Sequence, residues 1–284
     1  MTTVMEKFFS PKSVCVVGAS STPGKPGNVV VRNMRDAGFK GKIYLVNPRG
    51  GEIEGHKVYQ SIADLPDNID QAVVTLPAVG TPDTVRDLGK KGVEAIILAA
   101  SGFAEVDQMG EALQQDLIAA IRESGARIIG PNTTGHISVP GNYTSSFFPL
   151  GKLRRGSVSY ITQTGNFCGI SMRHILSAEN YGIARSCGLG NKADLDECDL
   201  LGFYDQDPET KSIFLYLESI KNPKRFLGVA RRVSRNKPVF LLKGGASDEG
   251  AAAAGLLEDA VALDHLIKAA QQAFAVFIVL ARDL

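Results

Sequence analysis

The chain has almost no excess of charge: 31 Lys and Arg stand against 30 Asp and Glu, a net +1 over 284 residues. A protein that finds nucleic acid or a membrane surface by bulk charge carries a clear basic surplus, so neither partner is expected. No apolar run approaches the roughly 18 residues of a membrane span. The opening residues, MTTVMEKFFSPKS, lack the apolar core and cleavage site of a secretory leader. The four cysteines, Cys15, Cys168, Cys187 and Cys198, form no CxxC pair, which leaves no metal-like spacing. Reduced, mostly buried thiols in a cytoplasmic protein without a metal site are the expectation. Short-period repeats and low-complexity tails are absent as well.

What the chain does have is alternation. Strand-like runs at Ser13–Val17, Lys42–Val46, Gln71–Leu76, Glu94–Ala99 and Arg127–Gly130 are separated by helix-like stretches at Asn28–Ala37, Thr81–Lys90 and Gly110–Ser124. Near-continuous apolar strands belong to a parallel sheet covered on both faces. Right-handed βαβ connections then give a doubly wound, Rossmann-type domain. Thr133–Gly156, rich in Gly, Pro, Ser and Thr, reads as a connector. The alternation restarts with strands at Ser157–Ile161, Ile183–Cys187, Ser212–Leu217 and Pro238–Leu242. Helices are expected at Cys168–Ser177, Asp196–Tyr204 and Pro223–Val233. At ~100–200 residues per domain, this predicts two α/β domains, residues 1–140 and 150–284.

The first strand exits into Gly18-Ala-Ser-Ser-Thr-Pro-Gly24-Lys-Pro-Gly27 and then a helix. Glycines allow a phosphate close to the backbone, and free N–H groups at a helix start supply positive potential. The spacing is not GxGxxG, and a purely structural turn is the competing reading. A domain for NAD would place an acidic residue at the end of the second strand. This chain has Asn47-Pro48-Arg49-Gly50-Gly51. A basic residue there suits a phosphorylated ribose, in NADP or at the 3′-phosphate of coenzyme A, or is simply a solvated arginine. The third and fourth strands end in Leu76-Pro77-Ala78 and Ala100-Ser101-Gly102-Phe103, at the edge where open α/β sheets bind ligands.

VGASSTPGKPG, VNPRGG, TLPA, SGFAE and GPNTTG follow one another here in the order and spacing of a known family. The chain resembles the CoA-binding part of the NDP-forming acyl-CoA synthetases, a superfamily that includes the succinyl-CoA synthetase α subunit and ADP-forming acetyl-CoA synthetase. The resemblance runs over about residues 6–255. It implies a Rossmann-type CoA-binding domain followed by a flavodoxin-like, succinyl-CoA-synthetase-like α/β domain, and CoA in place of NADP. It puts Gly18, Ser20, Ser21, Gly24, Lys25 and Gly27 near the phosphates, and Asn47, Pro48 and Arg49 at the adenosine end. Leu76, Pro77, Ala78, Ser101, Gly102 and Phe103 would flank the pantetheine, and Asn132 would lie near the thiol. The residue after Asn132 is often Cys in these proteins; here it is Thr133.

The second half opens with a strand running into Thr162-Gln163-Thr164-Gly165-Asn166. Hydroxyls and glycine at a helix start make an anion site, or an ordinary N-cap. In the family this segment is a Ser-x-Ser-Gly motif facing a phosphorylated histidine, so Thr162, Thr164, Gly165 and Asn166 become the implied phosphate-binding residues. Gly188-Leu-Gly-Asn-Lys-Ala-Asp194 matches the family's glycine-rich turn. Glu218 falls where the family has a glutamate that orients the histidine; alone it reads as a surface carboxylate. Imidazole suits phosphoryl carriage because it is nucleophilic at neutral pH. In the ADP-forming branch the histidine lies in Ser-His-Thr-Gly after a Lys-x-Gly-x-Ser-x-x-Gly-x-x-Ala-Ala run. Here the run, from Lys243 through Ser247 and Gly250 to Ala254, continues directly into Gly255. His56, His136, His174 and His265 are the only histidines, and none occupies that motif.

The resemblance therefore implies the α-type component of an acid–CoA ligase, acyl-CoA + ADP (or GDP) + phosphate ⇌ acid + CoA + ATP (or GTP). Its substrates would be CoA and an organic acid. An ATP-grasp β-type subunit or fused domain would bring the Mg-nucleotide, so an α–β oligomer is expected. The missing histidine makes the enzyme incomplete as written, either because a Ser-His-Thr segment between Ala254 and Gly255 is left out of the sequence as written or because the histidine is truly lost. The alternative is a non-catalytic CoA- or acyl-CoA-binding regulatory module. A third reading, an NADP-dependent reductase, rests on Arg49 alone.

Overall fold

The computed structural model describes residues 2–163 and 182–244 and the backbone of 276–280. The first lobe holds α1 (Thr2–Phe9), β1 (Ser13–Val17), α2 (Pro26–Asp36), β2 (Lys42–Val46), β3 (Glu52–Ile53), β4 (His56–Tyr59) and β5 (Gln71–Val74). α3 (Thr81–Lys90), β6 (Ala95–Leu98), α4 (Gln108–Ser124) and β7 (Arg127–Ile129) complete it. Its seven strands lie in the order β3-β4-β2-β1-β5-β6-β7. From β4 to β7 every neighbouring pair is parallel. β5 and β6 are buried at every position, as strands covered on both faces must be. The chain moves from β1 to β2 on one side and returns to β5 on the other, which opens a crevice at the carboxyl ends of β1 and β5.

The second lobe comprises β8 (His136–Ser138), β9 (Tyr143–Thr144), β10 (Arg155–Thr162), β11 (Ile183–Gly188), α5 (Glu197–Gln206), β12 (Ser212–Leu217), α6 (Pro223–Val233), β13 (Val239–Lys243) and β14 (Val276–Leu280). Its sheet order is β14-β13-β12-β10-β11-β8-β9. The doubly wound α/β expectation therefore holds in both halves. No helix among the described residues is long and apolar enough to cross a membrane.

Several expectations need correction. Thr133–Gly156 is more than a connector, because β8 pairs antiparallel with β11 and β9 with β8. These strands of three and two residues are too short to show a period of two. The β3–β4 hairpin turns through Glu54 (φ 50°) and Gly55 (φ 78°), a left-handed pair without the usual Asn-Gly signature. α2 starts at Pro26, earlier than expected, since proline suits the first helical turn. β5 stops at Val74 and β13 begins after Pro238. The helix expected at Cys168–Ser177 lies outside the described residues. Cys15, Cys187 and Cys198 are buried, and burial pushes the Cys15 thiol up to about 12.

α1 has no counterpart in the alternation pattern, yet it joins the lobes. Met5, Phe8 and Phe9 share one core with Ile97 and Ile129 of the first lobe and Ile161, Cys187 and Leu201 of the second. Phe9 stacks on Phe203 at 4.9 Å and meets His136 edge-on at 5.1 Å. Above it lies the Arg185 guanidinium, 5.4 Å from the ring centroid. Arg185 donates to both carboxylate oxygens of Asp207 at 2.8 and 3.0 Å and to Ser138. Burial alone would raise the Asp207 carboxyl, but hydrogen bonds from Arg185 and Thr210 bring it below its ordinary value.

Removing one partner of such a pair strands the other charge, which costs about 3–5 kcal/mol. D207N is expected to lower stability by about that amount in urea unfolding. The sign with pH follows from the depressed carboxyl. Its contribution is present above the ordinary aspartate pKa and lost as pH falls through the native value. D207N should therefore also flatten the acid limb of the stability curve.

Candidate functional site

The carboxyl edge of the first sheet gathers the glycine-rich loop and the turns after β2, β5 and β6. Gly18 and Ala19 donate their N–H groups to the Val46 carbonyl at 3.1 and 3.2 Å. The Asn47 amide donates to the Ala19 carbonyl at 2.8 Å and accepts from the Arg49 N–H at 2.9 Å. One side chain thus ties the phosphate-loop candidate to the Pro48-Arg49 turn. Ser20 accepts from Thr22 N–H at 3.1 Å, and its carbonyl receives the Asn28 amide at 3.1 Å. Ser21, Gly24, Lys25, Pro48 and Arg49 are exposed around this loop. Gly27 is buried for a different reason: a Cβ there would stand 2.2 Å from the Gly18 carbonyl oxygen. It lets α2 start directly against the end of β1, and no phosphate contact is needed to explain it.

Farther along the edge, Leu76 and Ser101 border the turns after β5 and β6, and Pro77 is exposed. Ala78 lies 3.4 Å from where a Cβ on Gly102 would stand, so these two turns touch. Phe103 does not face this groove as expected; its ring is fully buried in the core with Leu98 and Leu117. Asn132 is exposed beside them, its N–H bonded to the Ala100 carbonyl at 2.7 Å.

The second lobe presents its own carboxyl edge. Thr162 is buried, with its hydroxyl directed at the Cys187 carbonyl at 3.4 Å, so it braces the strand end and does not project outward. Thr164, Gly165 and Asn166 lie outside the described residues. Glu218, at the end of β12, is half-buried. Burial pushes its carboxyl up, and the ammonium groups of Lys243 and Lys192 pull it back. Tyr216 is pushed up by burial and by Glu218 itself.

Residues that sequence reasoning did not single out hold this corner. Gln163 accepts the backbone N–H groups of Glu218 and Ser219 at 3.0 and 2.8 Å and donates to the Ser219 hydroxyl at 2.7 Å. Lys192 is fully buried, paired with Glu197 at 3.1 Å and bonded to the Ser219 carbonyl at 2.7 Å. Lys243 donates to the Glu218 carbonyl at 2.9 Å and to Gly244. Lys221 donates to the Asn191 and Lys192 carbonyls at 3.1 and 2.8 Å. Burial pushes Lys221 and Lys243 down, with Lys192 adding to the effect. The signal for Gln163 was its place inside the Thr-Gln-Thr-Gly segment; nothing in the spacing reveals that it spans two strands.

The two edges meet. Gly190 has φ 59°, and a Cβ on it would lie 2.0 Å from the Pro131 carbonyl oxygen. Asn132 and Lys192, flanking this contact, are themselves left-handed at φ 59° and 55°. Such backbone costs of order 1–3 kcal/mol per residue, which the interlobe contacts offset. Of the described histidines, His136 is sealed in the seam and pushed down to about 3 by burial and the nearby Arg185. His56 sits on β4, toward the far edge of the first sheet. Among the described residues no cluster of His, Cys, Asp and Glu is arranged to hold a metal ion.

Gln163→Ala would leave the Glu218 and Ser219 N–H groups unpaired, at about 1–3 kcal/mol. Hydrogen–deuterium exchange should show both amides exchanging faster, while those of Gly18 and Ala19 in the first lobe stay as they were.

The family profile described as CoA binding domain matches residues 12–138, and that of the succinyl-CoA ligase like flavodoxin domain matches residues 155–280. The chain is 40% identical over 254 residues to the acetate–CoA ligase [ADP-forming] I subunit alpha of Pyrococcus furiosus, covering 88% of this chain and 54% of that protein. It is 38% identical to acetate–CoA ligase [ADP-forming] II of Archaeoglobus fulgidus, covering 88% of this chain and 37% of that one. Among solved structures it resembles the apo form of dinucleotide forming acetyl-coenzyme A synthetase 1 from Ca. Korarchaeum cryptofilum. That match has a TM-score of 0.89 and 36% identity over 99% of this chain and 60% of the other. The chain thus spans about half, or less, of the length of these curated relatives. With both domains matched in the same order, the chain belongs to the NDP-forming acyl-CoA synthetase superfamily, as its CoA-binding domain followed by the succinyl-CoA-ligase-like domain.

Proposed function

We propose that this chain is the CoA-binding, α-type component of an NDP-forming acid–CoA ligase. With a second component it would catalyse acid + CoA + ATP (or GTP) ⇌ acyl-CoA + ADP (or GDP) + phosphate. The observation that carries this is the meeting of the two carboxyl edges. Gly102 and Asn132, at the thiol end of the first-lobe groove, adjoin the Asn191–Lys192 turn, and Lys192 reaches the Ser219 carbonyl beside Glu218. The names of two relatives support acetate as the substrate, while a third, 31% identical, is named a trans-feruloyl-CoA synthase.

In this reading, domains 1–140 and 150–284 divide the work. Gly18, Ser20, Ser21, Gly24 and Lys25 surround the CoA pyrophosphate, at the start of α2 where N–H groups favour an anion. The residues fit such a ligand. Lys25 and Gly24 are both exposed ahead of the helix start, which leaves a cation and open backbone for an anion. Arg49 takes the ribose 3′-phosphate beside Asn47 and Pro48. Leu76, Pro77, Ala78, Ser101 and Gly102 run along the pantetheine, with Phe103 supporting the turn from below. Glu218 orients the phosphorylated imidazole, and Thr164, Gly165 and Asn166 receive the phosphate.

Neither described histidine supplies that imidazole; His174 and His265 lie outside the described residues. An ATP-grasp subunit or domain brings the Mg-nucleotide, so the chain alone should not turn over. With a Ser-His-Thr segment standing between Ala254 and Gly255, and mixed with the ATP-grasp subunit of a relative, it is expected to form thioester only with magnesium and nucleotide, and to take acid-labile label from γ-labelled ATP. CoA binding without label in that mixture would instead favour the non-catalytic CoA-binding module.

The CoA assignment has a direct test. Arg49→Ala is expected to weaken CoA about tenfold, as loss of a charge-assisted phosphate contact does, and to leave dephospho-CoA unchanged in calorimetry. Equal loss for both ligands would remove Arg49 from the 3′-phosphate.

A further inference from the structure

The Ser101–Glu105 turn is held from two directions. Glu105 accepts the N–H groups of Gly102 at 2.6 Å and Phe103 at 3.2 Å, curling its own loop. The same carboxylate accepts the Asn191 amide of the second lobe at 2.6 Å. That amide also donates to Gln114 of α4 at 3.2 Å, and the Asn191 side-chain oxygen faces the Asn132 amide at 3.4 Å. The backbone of Asn191 completes the set: its N–H donates to the Pro131 carbonyl at 2.8 Å, and its carbonyl accepts from Lys221 at 3.1 Å. Every polar group of one residue is used, and its partners come from both lobes.

We propose that Asn191 is a positioning residue, which fixes the Ser101–Glu105 turn and Asn132 against the Lys192–Lys221 corner and so presents the thiol end of CoA to the second site in one register. The inference rests on the CoA reading of the first-lobe groove, and the physical case is one of geometry. Asn191 cannot shift alone, because Gly190 is already pressed onto the Pro131 carbonyl. The turn cannot shift alone either, because the Phe103 ring is locked in the core. The amide between these two fixed points sets their separation.

Asn191→Asp tests this with little change of shape. It places a carboxylate against that of Glu105, so near neutral pH the Gly102 and Phe103 amides should exchange deuterium faster. CoA should bind about tenfold more weakly by calorimetry, the loss expected for one charge-assisted hydrogen bond. Relative to wild type, affinity should recover toward pH 5 as the facing carboxylates share a proton. Combining it with Glu105→Gln, which restores a donor across the gap and keeps an acceptor oxygen for the Gly102 N–H, should rescue CoA affinity and the Gly102 amide's exchange. A lower melting temperature with unchanged CoA affinity would overturn the proposal and leave Asn191 a structural tie. If wild type itself binds no CoA, the CoA reading fails, and the exchange comparison still decides: unchanged loop exchange in the variant overturns the positioning role.

Discussion

The two sheets meet at a seam, and the seam is aromatic. Phe9 of α1 is packed among His136, Phe203 and Tyr204, with the Arg185 guanidinium above it. Aromatic burial supplies the apolar area, while Asp207, within the second lobe, holds the Arg185 guanidinium in place over Phe9, since a bidentate fork tolerates little rotation. Everything at the carboxyl edges inherits its alignment from this layer. A loose seam would let Gly190 ride off Pro131 and separate the groove from Glu218.

The second level of organisation is a set of side chains that bond to backbone. Asn47 draws two first-lobe turns together, Gln163 clamps two second-lobe strand ends, and Lys192 and Lys243 hold the carbonyls around Glu218. None of these needs to touch a ligand. Their positive charges nevertheless lie around a half-buried carboxylate, so the corner combines a raised acid with an anion-friendly field. A site for phosphoryl groups requires that balance, because an uncompensated Glu218 would repel the group it is proposed to serve.

The sequence made the parallel strands legible because β6 is apolar throughout and β1 and β5 are apolar after their first residue, and the turns after them because glycine, proline and asparagine cluster there. What it concealed has consistent physical causes. α1 spans eight residues, and its value lies in contacts distant along the chain. β8 and β9 are too short for a period to register. Phe103 carries the motif's aromatic yet faces inward, since a motif does not say to which side a ring turns. Thr162 likewise is buried at its strand end, with its hydroxyl near the Cys187 carbonyl. Asn191 was visible as a letter in a glycine-rich turn, but its partners Glu105, Gln114 and Asn132 lie in the other lobe. Long-range side-chain bonds leave no periodic trace.

His136 follows directly on the GPNTTG turn, close in sequence to the residue placed at the thiol end. Its Nδ1 lies 2.7 Å from the Ser145 hydroxyl, and the ring is walled by Phe9 and Tyr143. Sealed from solvent and held neutral far below its ordinary range, this imidazole has no route to an electrophile. For the proposed ligase component, fidelity is gained when a bystander nucleophile is chemically silenced, and here burial does the silencing without deleting the ring that the seam needs.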